Sequence, residues 1–164
     1  MYDDILVPTD GSEGALDAVR HAVAIGRDHD ATVHALFVVN RRLYVAADDG
    51  EQDAVRERLR EDGEAALDDV VAAVEDAGLA ATRVLRDGVP HREILSYADE
   101  ADVDMVVMGT HGRTGRDRLV SLGSVAERVV ESATVPVVTV RIPDDGGTGE
   151  EASTAASGAP GDDG

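Results

Sequence analysis

Short runs of β-branched residues alternate with helical periodicity along residues 1–143, and that alternation predicts a series of βαβ units. Five runs read as strands: Ile5-Leu6-Val7, Thr32 to Val39, Ala81 to Leu85, Met105 to Met108, and Val135 to Val140. The first, fourth and fifth are almost unbroken apolar stretches, as expected of parallel strands covered by helices on both faces. Between the strands the apolar positions take helical spacing. Leu16, Val19 and Val23 share one face of a first helix, with Gly26 near its end. Val55, Leu59, Ala66, Val70, Val74 and Ala77 form the stripe of a longer second helix that stops at Gly78. Pro90 stands at the first position of a third, followed by Ile94, Leu95, Ala98 and Ala101. In the fourth, Ser124 and Glu127 have the S-x-x-E spacing of a capping box ahead of Val129, Val130 and Ala133. The expected fold class is α/β: a single domain with an open parallel five-stranded sheet and helices on both faces.

Residues 144–164 break the pattern, because they contain no large apolar side chain and cannot bury enough surface to offset the entropy of ordering. They read as a disordered acidic tail rich in Gly, Ala and Ser, behind a domain spanning 1–143. Composition sharpens the picture. The 164 residues include 34 acids, 22 of them aspartate, against 15 arginines and no lysine, for a net charge of −19. Only six of the acids, and no arginine, fall in the tail, so the acidity belongs to the whole chain. The replacement of lysine by arginine together with this charge reads as halophilic, suited to a salt-rich cytoplasm in which like-charge repulsion is screened. No basic stripe or aromatic platform is present for nucleic acid. With no cysteine, disulfides, thiolate metal sites and thiol nucleophiles are excluded. The chain opens without a basic signal-peptide start and holds no 18-residue apolar run, so neither membrane insertion nor export is expected.

In an open parallel sheet, ligands bind beyond the carboxyl ends of the strands where the strand order reverses. That directs attention to the exits of the first and fourth strands, Pro8-Thr9-Asp10-Gly11-Ser12 and Gly109-Thr110-His111-Gly112-Arg113, and to Gly123-Ser124 at the start of the last helix. Glycines let backbone N–H groups approach a phosphate closely, and a helix start complements its charge, so a triphosphate fits between Gly109–Gly112 and Gly123–Val125. Neither a lysine-containing P-loop nor a G-x-G-x-x-G fingerprint is present. Asp10 and Ser12 both also qualify as the cap of the first helix. His21, His29, His34 and His91 lack metal-ligand spacing, and no serine, histidine and aspartate fall in a nucleophile-elbow pattern, so no catalytic residue is assigned.

These segments resemble the universal stress protein family, in the subgroup with a G-x-x-G, nine residues, G-[ST] pattern. The likeness runs over roughly residues 2–142 and includes Val7-Pro8-Thr9-Asp10-Gly11-Ser12, Gly88-Val89-Pro90 with Ile94, Val107-Met108-Gly109-Thr110-His111-Gly112, and Gly123-Ser124-Val125-Ala126-Glu127 leading to Val135-Pro136-Val137. The resemblance implies a Rossmann-like domain that binds ATP, with Mg or Mn, and pairs as a homodimer through the fifth strand. It implies Pro8, Thr9 and Asp10 at the nucleotide, with Asp10 on the ribose or, indirectly, on a phosphate-bound metal. Val38 and Met108 would line the base pocket. Gly109, His111, Gly112, Arg113, Gly123, Ser124 and Val125 would surround the phosphates. One departure concerns the loop, where ten residues, Arg113 to Leu122, separate Gly112 from Gly123 instead of nine. Two other readings accompany the stress-response regulator: a nucleotide-free dimeric interaction module of the same fold, and a weak ATP hydrolase.

Overall fold

Five apolar segments line up as parallel strands in the computed structural model, which describes residues 1–110 and 124–141. They are β1 (Asp4–Pro8), β2 (Thr32–Asn40), β3 (Ala80–Gly88), β4 (Met105–Gly109) and β5 (Val137–Val140), in the spatial order β3-β2-β1-β4-β5. The order reverses at β1, with β2 on one side of it and β4 on the other. Alternate residues along β1 enter two separate cores: Ile5 and Val7 one, Leu6 the other. Helices α1 (Glu13–His29) and α3 (Gln52–Asp76) close the first core, and α4 (Pro90–Glu100) and α5 (Ser124–Ser132) the second. This is the single α/β sheet with helices on both faces that the periodicity implies; the 144–164 tail and the loop 113–122 lie outside the described residues.

Several local expectations are corrected. In α1 the sheet-facing residues are Gly14, Ala15, Ala18, Val19, Ala22 and Gly26, whereas Leu16 is 38% exposed. Small side chains let the helix approach the sheet, and the leucine is turned outward. Gly26 lies near the end of α1, as expected. It is buried, where a Cβ would meet Leu79 Cδ1 at 3.0 Å, and α1 continues to His29, closing on Asp30 in the left-handed conformation. A short helix, α2 (Arg41–Val45), stands where the apolar pattern showed none, started by the Asn40 side chain accepting from the Arg42 N–H at 3.1 Å. Along α3 the burial deepens from half-buried Val55 and Leu59 to buried Ala66, Leu67, Val70 and Val74. Gly63 is part of that stripe because the Phe37 ring lies on it; a Cβ there would come to 2.5 Å from Phe37 Cδ1.

Strand ends also differ from the apolar runs. β3 extends over Arg86 and Asp87 to Gly88, its charged positions engaged in surface ion pairs such as Arg86 with Glu100 and Arg56 with Asp87. β5 begins at Val137 and not Val135, since Pro136 has no N–H and contributes only its carbonyl, which accepts from Val106 at 2.9 Å. β3 and β5 are the two edges of the sheet. Among the described residues, no helix is long and apolar enough to cross a membrane.

Candidate functional site

The order reversal at β1 leaves a crevice over the carboxyl ends of β1, β2 and β4, and the polypeptide there turns away sharply. Thr9 N donates to Leu36 O at 2.8 Å, which holds the exit of β1 against β2. The chain then reverses through Gly11, at φ +83°, into α1. Ser12 is the cap of α1, its hydroxyl accepting from Ala15 N at 3.3 Å. Asp10 is therefore not needed as the helix cap. One of its carboxylate oxygens, Oδ1, accepts from Ser12 N at 3.0 Å, and Oδ2 has no partner among the described residues.

A cavity of about 280 Å³ occupies this crevice. Its floor and walls are apolar, from Leu36, Val38, Ile94 and Met108, with Leu43 and Leu59 contributed by α2 and α3. Polar groups converge from Thr9, Asp10, Asn40, Thr110 and Ser124. An apolar cleft with a few convergent polar groups is the usual make-up of a small-molecule site. Of the residues expected at the nucleotide, Pro8, Thr9, Asp10, Val38, Met108, Gly109, Ser124 and Val125 all line this one cavity. His111, Gly112, Arg113 and Gly123 lie outside the described residues.

Two details at the end of β4 bear on chemistry. Thr110 is 4% exposed and lines the cavity; its N–H donates to Val140 O at 3.1 Å, but its hydroxyl has no hydrogen-bond partner among the described residues. Buried hydroxyls are nearly always paired, which marks this one out at the wall of the cleft. Gly109 has a packing reason for being glycine beside the close phosphate approach expected of its motif. A Cβ there would meet the Gly14 carbonyl oxygen at 3.0 Å and its carbon at 3.1 Å, so β4 and the first turn of α1 pack backbone to backbone. Periodicity missed Thr110, Asn40 and Leu43 as cavity residues. Thr110 was legible as a hydroxyl beside a strand-exit glycine, whereas Leu43 depends on α2, which has no periodic signal.

The walls are fixed by ion pairs and hydrogen bonds. Tyr44 of α2 donates to Asp87 Oδ1 and Arg56 of α3 to Oδ2, each at 2.7 Å, tying both helices to the end of β3. Burial pushes the Asp87 carboxyl up, but hydrogen bonds from Tyr44 and Arg56 with the charges of Arg56 and Arg41 outweigh it, leaving the group below its ordinary value. Among the described residues no group of three His, Asp or Glu side chains gathers to hold a metal ion.

Residues 1–141 match the model of the universal stress protein family. The chain is 40% identical over 144 residues to universal stress protein MJ0531 of Methanocaldococcus jannaschii, covering 87% of this chain and 84% of that one. Among solved structures it is similar to MJ0577, whose structure was used for assignment of biochemical function, at 30% identity and a TM-score of 0.81 over 88% of this chain and 99% of that one. It is also similar to a universal stress protein in complex with cAMP, at 25% identity and a TM-score of 0.63 over 85% and 97% of the two chains.

Proposed function

Because the chain belongs to the universal stress protein family, we propose that it is an ATP-binding regulatory protein of the cytoplasmic stress response and not a catalyst. The observation that carries this reading is the Thr110 hydroxyl, buried in the wall of an apolar cavity and without a partner among the described residues, as is one oxygen of Asp10. A hydroxyl and a carboxylate facing apolar walls suit a ligand with a flat apolar ring, ribose hydroxyls and an anionic chain. Leu36, Val38, Ile94 and Met108 would hold the base, Asp10 Oδ2 would accept from the ribose, and Thr110 would donate to a phosphate oxygen. The start of α5 at Ser124 and Val125 adds free N–H groups and a positive dipole end for that chain. The relative solved with cAMP supports an adenine nucleotide as the ligand class.

The same geometry fits a metal only as a passenger of the phosphates. With no ligand cluster among the described residues, Mg or Mn would be held by the nucleotide and reached indirectly by Asp10, and what it would supply is neutralisation of phosphate charge. A homodimer through β5 completes the proposal, since this short strand is an edge of the sheet with no strand beyond it among the described residues.

Mass analysis of the supernatant from denatured protein, with calorimetric titration in concentrated potassium chloride, tests the reading. Co-purified ATP, or micromolar binding weakened by Asp10→Ala, is the expected result. Protein that neither carries nor binds nucleotide would overturn it in favour of the interaction module, whereas ADP accumulating under turnover would move the chain among the hydrolases.

A further inference from the structure

Of the described apolar residues that line the cavity, Leu43 alone is exposed, at 55%, whereas Leu36, Ile94 and Met108 are buried and Val38 and Leu59 half-buried. A single exposed leucine is ordinary on a protein surface. This one is carried by a segment that needs outside help to be ordered at all. None of the five residues of α2 is buried, and a helix of that length does not persist on its own hydrogen bonds. Polar ties fix it at both ends and in the middle. Asn40, itself a lining residue, caps its start. At its end the Gln52 amide donates to the carbonyls of Val45, at 3.4 Å, and Ala47, at 3.2 Å. Between them the Tyr44 ring packs on the core closed by α1 and α3, while its hydroxyl donates to Asp87, whose other oxygen accepts from Arg56. The Arg56 guanidinium also stands 5.7 Å from the centre of the Tyr44 ring.

The ties hold an apolar side chain at the edge of an apolar cavity, half in water, where a ligand would cover it. We propose that Leu43 is the outer wall of the base compartment, closing over the base of a bound nucleotide, and that Tyr44, anchored by Asp87 and Arg56, is the residue that positions it. The inference rests on the nucleotide reading above and deepens it. The exposed surface of Leu43 leaves water only when the ligand is present, so the side chain acts on affinity and not on the stability of the free protein. Its contact is with the base and is indifferent to the number of phosphates. Tyr44 does not line the cavity and acts through its neighbour. Val45, on the same helix and 51% exposed, does not line the cavity either and serves as the control.

The test compares adenosine with ATP by calorimetry in concentrated potassium chloride. Leu43→Ala should weaken both ligands by the same factor, about tenfold, as expected for apolar area no longer buried by the base. Leu43→Met should restore most of the loss, and Val45→Ala should change neither affinity. Tyr44→Phe keeps the ring and removes the bond to Asp87. It should weaken both ligands several-fold in the wild-type background and add nothing in the Leu43→Ala background, because a positioning residue then has nothing to position. The melting temperature of Leu43→Ala should match that of the wild type, since the side chain is exposed in the free protein. Unchanged affinity in Leu43→Ala, a loss confined to ATP, an equal loss in Val45→Ala, or a Tyr44→Phe loss of the same size in both backgrounds would overturn the proposal while leaving nucleotide binding in place. Wild-type protein that binds neither ligand would overturn both.

Discussion

The two ends of the sheet handle buried polarity in opposite ways. At the amino end the polar groups of Asp104, His34 and Tyr97 are paired. Asp104 Oδ2 accepts from the N–H groups of Asp3 at 2.9 Å and Asp4 at 3.0 Å. His34, 8% exposed, uses both ring nitrogens, with Nε2 2.9 Å from the Asp4 carboxylate and Nδ1 2.7 Å from the Tyr97 hydroxyl. The Tyr97 ring in turn lies under the Arg86 guanidinium at 5.1 Å. At the carboxyl end, the Thr110 hydroxyl and one oxygen of Asp10 have no partner among the described residues. A satisfied network stabilises the fold and has no capacity left for a ligand. An unsatisfied one costs stability until something else completes it. On the reading proposed above, the amino end is structural and the carboxyl end is the binding end.

Substitutions at the two ends should accordingly separate stability from binding. The largest effect is expected at Gly109, where the two properties fail together. Gly109→Val forces a side chain into the backbone of Gly14, which cannot yield as a flexible side chain would, so the cost lies at or above the upper end of the roughly 1–3 kcal/mol typical of overpacking. Thermal unfolding should show the loss, and nucleotide binding should vanish with it; a variant of wild-type stability would mean that α1 shifts freely.

Thr110 and Tyr97 make the sharper pair. Thr110→Val keeps the shape and removes an unpaired buried hydroxyl, so melting should hold or rise. ATP affinity should fall by about one to two orders of magnitude, the equivalent of a hydrogen bond to a charged group at roughly 1.5–3 kcal/mol. Thr110→Ser should restore most of the binding. Tyr97→Phe should do the reverse, leaving Nδ1 of His34 without a partner and costing about 1–3 kcal/mol of stability with ATP affinity unchanged. If both variants lose stability and binding in proportion, the distinction between the ends fails.

The smallest effect concerns the tie between α2, α3 and β3. Because the folded-state carboxyl of Asp87 sits below its ordinary value, its contribution to stability is present above the unfolded-state value and is lost as pH falls through the folded one. Acid unfolding of Asp87→Asn should lack this component, so the stability difference from wild type should shrink as pH drops from neutral into the range below the ordinary carboxylate value. A difference constant with pH would show that the tie acts through packing and not through charge.

Much of the fold was legible because its signals are local. Continuous apolar runs marked the central strands, Pro90 marked the start of α4, and the glycine and polar exits of β1 and β4 marked the crevice. Eight of the residues expected at the nucleotide line a single cavity because strand exits in a parallel sheet all open on the same edge. What escaped were features without period or punctuation. The charged end of β3, Arg86 to Gly88, lies beyond the apolar run Ala81 to Leu85, and ion pairs on this edge strand account for it. The five residues of α2 are too few for a helical repeat, and the inward face of α1 is made of alanine and glycine with Val19 and not of its leucine.

The sequence by itself determined the class of fold, the end of the sheet where a ligand would sit, and the family, because these follow from periodicity and from residues close together along the chain. Tertiary structure alone decided which polar groups are left without partners and which charges meet. Asp87 meets Tyr44 and Arg56 only once α2 and α3 are packed against the end of β3. Whether Thr110 or His34 is satisfied depends likewise on partners supplied by other strands and helices, since hydrogen bonding and Coulomb attraction depend on distance in space and not on separation in sequence.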